Sequence, residues 1–144
     1  MSASPRSART NYSSPVPVRE ELRVVGAEFA RALMELAPHV SPHPLELLDV
    51  KVIDPTRGVL YRVDLMFLFT GTRCSFGLQL TMMGTSIRRV RGSAPPRDGA
   101  YVDFSSSSGW SDWAVPGESP KSETCRRHIL QKALEACGLE RTEL

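Results

Sequence analysis

No apolar run in this chain approaches the roughly 18 to 20 residues a helix needs to cross a bilayer. The longest, Val63 to Phe69, is broken by Asp64, so no helical membrane span is expected. Histidine is scarce: His39 and His43 sit among prolines and His128 among helix formers, which leaves no obvious general base. A glycine-rich phosphate loop, a Gly-x-Ser-x-Gly elbow and a His-Glu-x-x-His pair are all missing, and these absences weigh against an enzyme. The three cysteines, Cys74, Cys125 and Cys137, are odd in number and lack the spacing of a disulfide framework or zinc ribbon. Reduced, partly buried thiols are therefore expected. Charge of one sign is lacking as well: a net charge of +2 is too small to announce a nucleic-acid partner by itself. No apolar stretch follows the N-terminal arginines, so a secretory leader is not expected and the cytoplasm is the expected compartment.

What is present suits one folded domain. A chain of 144 residues, 41% hydrophobic and 24% charged, has enough apolar surface for a packed core but not for two independent ones. Residues 1–17 are mostly Ser, Pro, Arg and Ala with little to bury, and read as a disordered N-terminal arm. Residues 18–144 read as a single α+β domain. Val18, Leu22, Val25, Phe29, Leu33 and Leu36 recur at helical spacing, with Pro17 suited to the first turn and Pro38 ending the helix. Pro38, Pro42 and Pro44 then make a rigid extended connection.

A sheet is expected next. Leu48, Val50 and Val52 alternate with Asp49 and Lys51, and Asp54 to Gly58 carry turn chemistry. Val59 to Phe69 forms a second strand with Val59, Tyr61, Val63, Leu65, Phe67 and Phe69 on its core face. Thr70 to Arg73 closes a hairpin onto a third strand whose core face is Cys74, Phe76, Leu78, Leu80 and Met82. Gly84 to Gly99 reads as a basic loop, and Ala100 to Phe104 as a possible fourth strand. Trp110 and Trp113 anchor a polar loop. A last helix is capped by Ser119, buries Cys125, Ile129, Leu130, Ala133, Leu134 and Cys137, and stops at Gly138. The expected fold is thus an N-terminal helix, a three- to four-stranded mainly antiparallel sheet, and a C-terminal helix packed on it.

Symmetric closure of the second hairpin sets Asp64 opposite Gln79 and Arg62 opposite Thr81 on the sheet face away from the core. Apolar neighbours surround this patch, where an unpaired carboxylate is costly. On these residues the chain resembles the PD-(D/E)XK nuclease-like superfamily, whose core opens with a helix and three antiparallel strands. That family carries an acid on the second strand and Glu or Gln, one residue, then Lys on the third. The resemblance implies Asp64 and Gln79 as catalytic Mg²⁺ ligands and Glu28 as a helix-borne acid. Thr81 stands where the family has its lysine and carries no charge to activate water, so Lys51 or Arg88 would have to replace it. The family's helix and further strand after the third strand are also not expected here.

The order helix, three strands, helix is also that of double-stranded RNA-binding domains, and Lys121, Arg126, Arg127 and Lys132 decorate the final helix. The two helices stand farther apart in the chain than that module permits. Cys125 with His128, and His39 with His43, are metal-capable pairs that do not reach four ligands. The leading expectation is a small non-catalytic accessory or protein-interaction module needing no cofactor. Its contacts would be Arg62, Thr81, Arg88, Arg89, Arg91, Trp110 and Trp113, and its partner another protein or a second copy of itself. A divergent Mg²⁺-dependent nuclease domain binding nucleic acid, with or without activity, is the alternative.

Overall fold

The computed structural model describes residues 16–55, 60–94, 104 and 109–139. The elements run α1 (Val16–Leu36), a single 3₁₀ turn at Ala37–His39, β1 (Leu45–Ile53), β2 (Arg62–Phe69), β3 (Ser75–Met83), β4 (Ser86–Ser93), β5 (Ser111–Asp112) and α2 (Glu123–Cys137). The strands form one antiparallel sheet in the order β1-β2-β3-β4-β5, each paired to its sequence neighbour. The architecture is α+β, as the periodicities imply, but with five strands in place of three or four. Of the arm expected at 1–17, only Val16 and Pro17 are among the described residues, and both begin α1.

One face of the sheet is the core. Val63, Leu65, Phe67 and Phe69 of β2 and Phe76, Leu78, Leu80 and Met82 of β3 are at most 1% exposed, beneath Leu22, Phe29 and Leu33 of α1 and Ile129, Leu130 and Leu134 of α2. Gly26 lets α1 lie close: a methyl there would stand 2.6 Å from Val63 Cγ1. The α2 stripe is buried as its spacing implies, and Gly138 ends the helix in the left-handed region with Leu139 N–H bonded to Leu134 O. The cap differs from expectation. Ser122, not Ser119, accepts the Cys125 N–H at 3.1 Å, because the helix begins at Glu123 and Ser122 is the residue immediately before it.

The second correction concerns β4. The stretch expected to be a basic loop turns tightly at Gly84, whose φ is 60°, and returns as Ser86–Ser93 beside β3. Its register shifts at Thr81/Met82, where Arg88 is the extra residue. The bulge puts Ile87 and Val90 three apart yet both buried, which erases the two-residue alternation. A bulge between Leu47 and Asp49 does the same in β1 and turns Leu48 outward, 49% exposed, where it was expected inside. Of the strand expected at 100–104 only Phe104 is described, and it lies in a turn.

The outer edge of β1 is guarded by α1. Arg23 donates to Val50 O at 2.9 Å, and Arg19, one turn earlier, pairs with Asp54 at 3.5 Å. A filled carbonyl and a bulge make this edge a poor template for an added strand.

Candidate functional site

With both helices on one side, the other face of the sheet is left to polar residues. The register lines them up in rows. Lys51, Asp64, Gln79, Arg91 and Asp112 are successive cross-strand partners from β1 to β5, and Ile53, Arg62, Thr81 and Arg89 form the row beside them. The expected pairings of Asp64 with Gln79 and Arg62 with Thr81 are therefore observed. They sit inside a longer polar ladder.

At its centre Asp64 and Gln79 are each only 4% exposed. Asp64 is held by Arg62, two residues back on the same strand and face: Nε donates to Oδ1 at 2.7 Å and Nη2 to Oδ2 at 3.0 Å. This two-point geometry is the strongest a carboxylate and a guanidinium can make. Burial nevertheless raises the Asp64 carboxyl above its ordinary 3.8, outweighing the downward pull of the Arg62 hydrogen bond and charge and of the Lys51 charge. Gln79 Nε2 donates to Phe104 O at 3.3 Å, and the Phe104 ring packs on Trp110 with centroids 5.4 Å apart. Phe104 thereby roofs part of the face. Beneath it lies a pocket of about 190 Å³ lined by Asp49, Lys51, Ile53, Arg62, Asp64, Met66 and Phe104.

The remaining expected residues are distributed unevenly. Arg89 makes an exposed two-point pair with Asp112, at 2.7 and 3.0 Å, which lowers the Asp112 carboxyl. Arg91 is half-buried beside Gln79 in the central row. Arg88, on the bulge, donates to Met83 Sδ at 3.2 Å. Of the two cations considered in place of the missing lysine, only Lys51 stands in the Asp64 row.

Trp110 and Trp113, expected as contact residues, are 8% and 5% exposed. They are anchors of the fold, because the chain crosses the sheet edge between them. Trp113 enters the core over Gly92 and near Phe76, while Trp110 meets Phe104 on the other face. Glu28 sits exposed on α1, across the sheet from Asp64. Arg127 pairs with Glu123, and Arg126 donates to Lys121 O and Ala32 O, so both α2 arginines have partners within the fold. Among the described residues no three His, Cys, Asp or Glu side chains are grouped to hold a metal, and no helix is long and apolar enough to cross a membrane.

Sequence reasoning missed the parts that come from outside the hairpin. Asp112 lies on a two-residue strand with no pattern of its own, and Arg91, expected as a contact, was expected on a loop and not on a strand opposite Gln79. Phe104 reaches the site by a chain path that local periodicity does not encode. The chain matches no family model, and no curated protein or solved structure is significantly similar to it.

Proposed function

We propose that the chain is a non-catalytic interaction module whose recognition surface is the open face of the sheet. The observation that carries this reading is the two-point closure of Arg62 on Asp64. A divalent cation needs exposed oxygen donors, whereas here the guanidinium covers both carboxylate oxygens and the Gln79 amide presents its N–H to a carbonyl. This donor set does not fit Mg²⁺ as arranged, which favours the module over the nuclease-like alternative.

The character of the face supports recognition of a protein. Half-buried Met66 and Leu68 and exposed Leu60 and Met83 lie among Lys51, Arg62, Arg89 and Arg91, a mixture of apolar surface and arginine typical of interface cores. Lys51 and Arg91 enter no ion pair among the described residues, so the partner surface is acidic opposite them. The guarded β1 edge argues against strand addition at that edge. Three free thiols fit a reducing, cytoplasmic setting.

A plasmid-nicking assay with Mg²⁺ or Mn²⁺ tests the choice of class. No cleavage above buffer is expected from wild type, and cleavage that disappears in Asp64→Ala would refute the reading. Light scattering after size exclusion then reports whether the partner is a second copy.

A further inference from the structure

The pocket under Phe104 has a charge arrangement that selects among ligands. Its apolar walls are Ile53, Met66 and Phe104; its floor is the Arg62–Asp64 pair; its rim carries Asp49 and Lys51. Asp49 and Lys51 lie two residues apart on the same face of β1, about 6.6 Å of strand, and neither forms an ion pair or hydrogen bond among the described residues. Arg62 directs two of its five N–H donors to Asp64 and makes no other hydrogen bond among the described residues.

A simple anion entering this pocket would meet Lys51 and Arg62 but also the bare carboxylate of Asp49. A simple cation would meet Asp49 but face Lys51. The Arg62–Asp64 pair adds no net charge of its own, so Asp49 and Lys51 set the balance. A ligand bearing both charges satisfies each side. The volume, about 190 Å³, falls below the roughly 300 to 1,000 Å³ of drug-sized sites, which suits one small molecule with a short apolar body.

We infer that this pocket binds a free α-amino acid with an apolar side chain. The ammonium lies on Asp49, the carboxylate on Lys51 and the unengaged edge of Arg62, and the side chain against Ile53, Met66 and Phe104. A peptide C-terminus brings only the carboxylate and leaves Asp49 unanswered. The inference rests on the open face being a recognition surface and adds a ligand to it, so that occupancy of the pocket can alter the surface offered to a partner.

Isothermal titration of the full chain with leucine, methionine and phenylalanine tests it, beside 4-methylpentanoate and isoamylamine as single-charge analogues of leucine. Saturable binding is expected for at least one amino acid. Each analogue should bind at least about tenfold more weakly, the scale of one lost charge-assisted hydrogen bond. Lys51→Ala and Asp49→Asn alter exposed side chains, so they should keep the wild-type circular dichroism while losing at least about tenfold in affinity. Absence of binding, single-charge analogues that bind as well as leucine, or variants that retain full affinity would each overturn the inference. Asp64-dependent nicking refutes the functional reading instead, so the two failures are distinguishable.

Discussion

Asp64 and Gln79 face each other across β2 and β3, both buried, yet each bonds elsewhere: the carboxylate to Arg62 and the amide to the Phe104 carbonyl. The centre of the open face is thus two adjacent, separately satisfied polar groups, and disturbing one should leave the other intact.

Removing Arg62 strands a buried carboxylate. Arg62→Met is expected to destabilise the fold by about 1–3 kcal/mol, the cost of leaving a buried group unsatisfied. The double variant Arg62→Met/Asp64→Leu should recover most of the loss, because replacing both partners by apolar groups of similar volume is close to neutral. Urea denaturation of the wild type, both single variants and the double variant supplies the cycle. Full additivity of the two single losses would show that the pair is not coupled.

Gln79→Leu removes the tether on Phe104 while leaving the Asp64–Arg62 pair in place. The pocket should open without a large change in global stability, since one neutral hydrogen bond contributes about 0.5–1.5 kcal/mol. Hydrogen exchange is expected to quicken around residue 104 and remain unchanged in β2. Equal quickening in β2 would mean that the tether supports the sheet itself.

Legibility in the sequence followed periodicity. The core faces of β2 and β3, the hairpin register and the α2 stripe could all be read because alternation or helical spacing runs unbroken through them. Bulges defeat that reading: Arg88 separates Ile87 from Val90, so β4 looked like a loop, and the Leu47/Asp49 shift turned Leu48 outward. Phe104, Arg91 and Asp112 complete the site from segments where tertiary contact, not local pattern, decides position. The Asp64–Gln79 pairing was therefore visible, while its roof and the β4–β5 end of its row were not.

Gly92 illustrates a constraint that composition conceals. A methyl there would stand 2.0 Å from Trp113 Cε3, against a ring already wedged near Phe76. Gly92→Ala is expected to destabilise by about 1–3 kcal/mol through overpacking, seen as a lower urea midpoint and an altered Trp113 emission. An unchanged midpoint would show that the ring can shift freely.

The two aspartates at either end of this half of the sheet should respond to pH in opposite senses. Burial raises Asp64, so the native state holds that proton more tightly than the unfolded chain does. Its contribution is complete below the unfolded value of 3.8 and is lost as pH rises through the higher native value. Asp112 is pulled down, first by the Arg89 hydrogen bond, so its contribution is present above 3.8 and is lost as pH falls through the lower native value. Against Asp64→Asn, which mimics the protonated group, wild-type stability should therefore decline as pH climbs from 3.8. Against Asp112→Asn it should decline as pH drops below 3.8. The second effect stays small, because an exposed pair contributes about 0–1 kcal/mol and salt screens it. Denaturation series from acid to neutral pH, at low and high salt, measure both. If Asp64 showed the Asp112 trend, the attraction of Arg62 would outweigh burial, and the centre of the open face would be a stabilising ion pair instead of a carboxylate held at a cost.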